Sequence, residues 1–67
     1  MNVLPEHKPA VLTVDQPEHE LSAGDVGIVV FIHSGGAAYE VEFPNGAVVT
    51  LEADQVRAKS QPPSPSG

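Results

Sequence analysis

The stretch AYEVEFPNGAVVTL, residues 38–51, decides the fold class, because it contains two β-strand patterns joined by a tight turn. Its first half alternates between apolar and acidic side chains, as in a strand with one buried face and one solvated face. Pro-Asn-Gly at 44–46 is typical of a hairpin turn, since Asn and Gly tolerate positive φ angles. Residues 47–51 are rich in β-branched side chains. We therefore predict an antiparallel hairpin at the centre of the chain.

The segments on both sides of this hairpin predict further strands. The predicted strands are residues 8–14, 25–33, 37–43, 47–51 and 56–58. Pro9 restricts the first strand to an edge or to its own start. A polar loop at 15–24 separates the first two strands, and residues 52–55 can form one helical turn. This order predicts an all-β fold, a small five-stranded SH3-like barrel. The oligonucleotide-binding barrel is the alternative, but it normally needs more residues and a longer helix.

We predict a single domain with loose ends, since the chain has only 67 residues. The tail SQPPSPSG, residues 60–67, contains three prolines and no large apolar side chain, so we expect it to be disordered. Residues 1–7 form a loose N-terminal segment, in which Val3 and Leu4 could dock on the core. The barrel is then expected at residues 8–59.

The charge of the chain disfavours several classes of partner. Nine acidic residues stand against three basic ones, and the net charge is −6. Because Lys and Arg contacts to phosphate dominate nucleic-acid affinity, we expect no nucleic-acid partner. The same deficit disfavours anionic membranes, and no apolar run approaches the ~20 residues that a membrane-spanning helix needs. The acidic balance instead favours a basic protein partner.

The chain contains no cysteine. Small secreted domains are usually rich in disulfides, so a cysteine-free domain is expected in the cytoplasm. Domains of this size often need a disulfide, a metal or a second chain for stability. With disulfides excluded, a homodimer is an open alternative.

The strand that opens the central hairpin predicts which side chains are buried. Tyr39, Val41 and Phe43 share one face, and Glu40 and Glu42 share the other. The apolar trio is expected to fill the interior, which leaves the two glutamates facing water or a partner. A pair of catalytic carboxylates would need an enclosing cleft and a nearby reacting group. No nucleophile or basic residue lies close in sequence, so we interpret the glutamates as part of a solvated strand.

The predicted strand 25–33 is apolar on both faces. Strict alternation places Val29 and Phe31 on the opposite face from Ile28 and Val30. One face fills the barrel, and the other packs beneath the long loop or forms an intermolecular surface. We assign Val29 and Phe31 to the outer face.

No pattern predicts catalysis or a bound cofactor. His7, His19 and His33 match no common zinc spacing, and no cysteine supports them. The glycines near residues 24–36 are not followed by a helix, as a phosphate-binding loop requires. The serines and threonines lie in no nucleophile motif. We therefore expect no enzyme activity, no cofactor and no metal.

Three segments of the chain resemble a family of short bacterial domains of unknown function. They are LSAGDVGIVV, AYEVEF and TLEADQVR, which together give the GDxGxVV…YEVEF pattern of that family. The likeness extends from Val11 to Arg57, and it departs at Pro44, where the family tends to carry an aliphatic residue. The resemblance implies a small barrel without established enzyme activity. It also implies an accessory, antitoxin- or immunity-like role, since such domains are found near toxin- or nuclease-like proteins.

Together these observations predict a non-catalytic protein-interaction module that binds a basic protein. The expected contact surface combines acidic and apolar side chains: Glu40, Glu42, Glu52, Val29 and Phe31. The alternative is an oligomer that binds a small molecule, or catalyses a reaction, at a site between subunits.

Overall fold

The computed structural model describes residues 3–59, which form one sheet of five antiparallel strands. The strands are β1 (Pro9–Leu12), β2 (Val26–His33), β3 (Ala38–Glu42), β4 (Val48–Glu52) and β5 (Val56–Ala58), and two 3-10 helices span Pro17–His19 and Ala53–Gln55. The predicted all-β fold with five strands is therefore confirmed. The tail at 60–67, for which we predicted disorder, lies outside the described residues.

The strand order across the sheet is β4-β3-β2-β1-β5. β2, β3 and β4 follow one another as hairpins, whereas β1 pairs with both β2 and β5. β4 and β5 are thus the two edge strands, and the second 3-10 helix joins them. A capping box starts this helix, since the Glu52 N–H donates to Gln55 Oε1 at 2.9 Å. The predicted helical turn is present. Within residues 3–59, no helix is both long and apolar enough to cross a membrane.

The core collects the inward-facing side chains of the strands. The clustered buried residues are Leu4, Ala10, Leu12, Leu21, Val29, Tyr39, Val41, Phe43, Val49, Leu51 and Val56. The predicted trio Tyr39, Val41 and Phe43 is at most 2% exposed, so its assignment to the interior is confirmed. Leu21 anchors the long loop between β1 and β2 on the same core.

The turn between β3 and β4 uses its residues in different ways. Gly46 has a φ of +91°, which favours glycine, and its N–H donates to the Phe43 carbonyl at 2.9 Å. Asn45 contributes through its side chain, because Oδ1 accepts the Ala47 N–H at 2.9 Å. The predicted hairpin is therefore present, with positive φ at the glycine alone among its central residues.

Within residues 3–7, Leu4 and His7 attach the N-terminal segment to the sheet. Leu4 is 8% exposed, and its N–H donates to the Tyr39 hydroxyl at 3.1 Å. The His7 N–H donates to the Val29 carbonyl at 2.6 Å. Docking is thus observed for Leu4, although Val3 remains 48% exposed. The N-terminal segment, which we expected to be loose, therefore contributes the Leu4 side chain to the core, where the Leu4 N–H is hydrogen-bonded to the buried Tyr39.

Replacing Tyr39 by phenylalanine should lower the free energy of unfolding by about 1–3 kcal/mol, because the buried Leu4 N–H would lose its acceptor. Urea denaturation measures this loss, and hydrogen exchange at the Leu4 amide should accelerate. Thr13→Val is the matched control, since it removes an exposed hydroxyl that donates to the Asp54 carbonyl and that water can replace. Equal stabilities for the wild-type protein and Tyr39→Phe would contradict this role of the hydroxyl.

Candidate interaction surface

Strands β2, β3 and β4 present a continuous outer face, defined here by three rows of paired residues. The rows are Ile28–Glu42–Val48, Phe31–Glu40–Thr50 and His33–Ala38–Glu52. Directly paired residues of antiparallel strands project on the same side of the sheet. The nine side chains therefore form one patch, opposite the core.

The outer face carries large apolar side chains that the fold leaves in solvent. Ile28 is 40% exposed, Phe31 is 50% exposed and Val48 is 52% exposed. Ile28 and Phe31 are neighbours in adjoining rows on β2, whereas Val48 lies two strands away on β4, on the other side of Glu42. Contiguous exposed apolar side chains rimmed by polar ones are typical of protein-binding surfaces.

The charged residues of the outer face are acidic. Glu40 and Glu42 lie on the central strand, and Glu52 ends β4. The three basic residues of the chain are Lys8, Arg57 and Lys59, and none of them belongs to β2, β3 or β4. The acidic side chains therefore have no Lys or Arg neighbour within their own rows.

His33 connects the acidic and aromatic parts of the outer face. Its Nε2 lies 2.8 Å from Glu40 Oε2, and its ring packs edge-on against Phe31 with centroids 4.8 Å apart. The side chains of His33 and Glu40 are 39% and 36% exposed, so the contact is a surface interaction worth about 0.2–1 kcal/mol. It orients both neighbours more than it stabilises the fold.

A β-bulge in β2 determines which apolar residues reach the outer face. Val29 pairs with Val41, whereas Phe31 pairs with Glu40, so Val30 is an additional residue between two regular pairs. An extra residue reverses the side-chain alternation that follows it. Val29 is consequently 1% exposed and Phe31 is 50% exposed.

The predicted placement of Val29 on the outer face is therefore wrong. Strict alternation assigned Val29 and Phe31 to one face, and the bulge separates them. Phe31, Glu40, Glu42 and Glu52 do lie together on the outer face, as expected from their strands. Their role in partner binding stays a prediction.

A family comparison covers every strand of this sheet. The sequence model of the Domain of unknown function (DUF4926) matches residues 6–58. The chain belongs to the DUF4926 family. The match confirms the resemblance to a domain family of unknown function. Comparisons with curated proteins and with solved structures find no match.

The three histidines of this DUF4926 domain lie apart in the described structure. Within residues 3–59, no three His, Asp or Glu side chains are grouped so that they could hold a metal ion. His33 contacts Glu40, whereas His7 precedes β1 and His19 ends the first 3-10 helix. The histidines are therefore dispersed.

A cleft of about 610 Å³ lies away from the outer face. The N-terminal segment, the β2–β3 turn and the second 3-10 helix contribute to its walls, which include Leu4, Tyr39 and Val56. Asp54 and Arg57 also line it.

Five of the nine outer-face residues were not singled out from the sequence: Ile28, His33, Ala38, Val48 and Thr50. Val48 could have been found, because residues three positions apart in a strand lie on opposite faces. If Leu51 on the same strand is assigned to the core, Val48 must face outward. Ile28 and His33 lie on opposite sides of the bulge, so one alternating pattern cannot place both outside. No signal in the sequence marks Val30 as the additional residue.

Proposed function

We propose that this DUF4926 domain is a non-catalytic protein-interaction module that binds a basic protein through its outer face. The observation that carries the proposal is the mixture of exposed apolar side chains with glutamates on one sheet surface. Phe31 is half exposed in the middle row of that surface, directly beside Glu40. No Lys or Arg belongs to the three strands involved.

The two kinds of side chain would contribute differently to binding. Burial of Phe31, Ile28 and Val48 would supply affinity, because removing apolar area from water contributes roughly 25 cal/mol per Å² before the costs of association. The glutamates would steer a basic partner toward the surface and exclude acidic competitors. His33 would hold Phe31 and Glu40 in place.

The proposal also includes an SH3-like barrel as the fold and the cytoplasm as the place of action. An SH3-like barrel is supported by the order β5-β1-β2-β3-β4 and by the 3-10 helix between β4 and β5. A cytoplasmic accessory, antitoxin- or immunity-like role is consistent with an acidic domain whose partner is basic.

Charge reversal at Glu40 and Glu42 should weaken capture of the basic partner without unfolding the domain. The double variant Glu40→Lys/Glu42→Lys is compared with the wild-type protein as immobilised bait for native lysate at low salt. A basic protein recovered by the wild-type bait is then purified, and its dissociation constant is measured. We expect about tenfold or greater weakening, since close charge pairs across interfaces contribute 1.5 kcal/mol or more. Thermal denaturation should show a stability change within about 1 kcal/mol.

Glu6→Lys/Glu18→Lys is the matched control, because it changes the net charge equally at two exposed positions outside the outer face. It should retain binding, apart from a general effect that added salt removes. Equal weakening by both double variants would mean that net charge, and not the outer face, attracts the partner. Unchanged binding by Glu40→Lys/Glu42→Lys would refute the proposed surface.

The alternative function is small-molecule binding, for which the cleft beside Tyr39 is the favourable observation. As the sequence analysis predicts for this alternative, an oligomer would bind the small molecule, or catalyse a reaction, at a site between its subunits. Saturable binding that disappears on dilution to monomer would favour that alternative over a protein-interaction module.

A further inference from the structure

We infer that the basic partner binds by adding a β-strand to the free edge of β4, beside the outer face. The inference rests on the proposed interaction function and specifies the form in which the partner is recognised: an extended segment. Strand addition combines backbone hydrogen bonds, which supply affinity, with alternating side-chain contacts, which supply specificity.

The ladder between β3 and β4 defines which backbone groups of β4 are already used. At one end, the Phe43 N–H donates to the Ala47 carbonyl at 2.8 Å. At the other end, the Ala53 N–H donates to the Ala37 carbonyl at 3.2 Å. Hydrogen-bonded pairs recur at every second residue of an antiparallel ladder. Counting inward by two residues from either end therefore identifies the same hydrogen-bonded pairs between β3 and β4.

By this assignment, the backbone groups of Val49 and Leu51 point toward β3, and those of Val48 and Thr50 point away from it. In the described part of the chain, β4 pairs with β3 alone, so the groups of Val48 and Thr50 have no strand partner. The free edge ends at Glu52, whose N–H donates to a side-chain oxygen of the following 3-10 helix. Val48 and Thr50 thus offer two N–H groups and two carbonyl groups to an added strand.

Nothing in β4 itself protects this edge. Natural edge strands are usually shielded by lysine, proline, a bulge or very short length. β4 has five residues, VVTLE, in regular pairing with β3, and its single charge lies at the end. The opposite edge, β5, has three residues and includes Arg57. β4 is therefore the edge that accepts a strand.

The outer face determines which strand would fit. An added strand would extend each of the three rows by one position, next to Val48, Thr50 and Glu52. An apolar side chain beside Val48 and a basic one beside Glu52 would complement the rows. A second copy of this chain would bring further glutamates to the same face, so charge favours a basic segment over self-association.

The test uses three synthetic peptides and the unaltered protein. The parent peptide is acetyl-Lys-Val-Lys-Val-Val-Lys-amide, whose first residue would lie opposite Glu52 in antiparallel register. One derivative is N-methylated at its third and fifth residues, whose N–H groups would face Thr50 and Val48. The control derivative is N-methylated at the second and fourth residues, whose N–H groups would face solvent. All three carry the same charge and side chains.

We expect the parent and the control derivative to bind with similar affinity, and the third-and-fifth derivative to bind about tenfold or more weakly, because two hydrogen bonds are lost. Hydrogen exchange at the Val48 and Thr50 amides should slow when the parent peptide is bound. Equal binding by all three peptides would overturn strand addition and leave the outer face as a side-chain surface. Absence of saturable binding by the parent peptide would also overturn it, while the charge-reversal experiment would still decide the proposed function.

Discussion

Leu51→Ala should lower the free energy of unfolding by about 2–5 kcal/mol, because it removes buried methyl groups and leaves a cavity. Leu51 is fully buried on the inward face of β4, among the largest enclosed side chains of the core. At about 0.05–0.15 kcal/mol per residue, a domain of this length has only about 3–9 kcal/mol of stability. The substitution therefore removes a large share of the total.

Urea denaturation and thermal melting measure the effect, and a melting temperature lowered by about 4–8 °C per kcal/mol is expected for so small a domain. Val48→Ala is the control on the same strand, since Val48 is 52% exposed. It should change stability by no more than about 0.5 kcal/mol. If both variants lose similar stability, the assignment of the two faces of β4 is wrong.

Gly27→Ala should destabilise the fold by about 1–3 kcal/mol, because β2 and β3 leave no room for a side chain at this position. An added Cβ would lie 2.6 Å from Val41 Cγ1 and 2.7 Å from the Glu42 carbonyl oxygen. The carbonyl belongs to the backbone of β3, which cannot move without disturbing its pairing with β2. Steric overlap is therefore expected to exceed the 0.4–1 kcal/mol that a Gly-to-Ala change gains by restricting the unfolded chain.

The control for Gly27→Ala is Gly35→Asn. Gly35 has a φ of +68° and open space around its Cβ position, and asparagine tolerates this conformation. Its variant should melt close to the wild-type temperature. A Gly27→Ala protein more stable than the wild type would show that the strands can separate enough to admit a methyl group.

The stability variants and the binding variants act on opposite sides of the same sheet. Leu51 and Gly27 lie on the buried side, whereas Glu40 and Glu42 lie on the outer face. The buried-side variants should therefore change the free energy of unfolding, and the outer-face variants should change the affinity for the partner. A charge reversal that reduced binding only by unfolding the domain would be recognised from its melting curve.

The sequence alone determined the features that depend on neighbours along the chain. Two-residue alternation placed Tyr39, Val41 and Phe43 inside and Glu40 and Glu42 outside, and the structure agrees. Turn chemistry located the β3–β4 hairpin, since glycine permits a positive φ. These predictions succeed because both signals arise within a few residues.

Only the tertiary structure decided the features that depend on contacts across the sheet. The additional residue Val30 shows no local pattern, yet it turns Val29 inward and brings Phe31 and His33 to the outer face. The docking of Leu4 depends on a hydroxyl 35 residues away. Which edge of β4 remains open depends on the whole strand order. Side-chain alternation along a strand shows which of its residues share a face. The register of that strand and the strands it pairs with are fixed by the packing of distant segments.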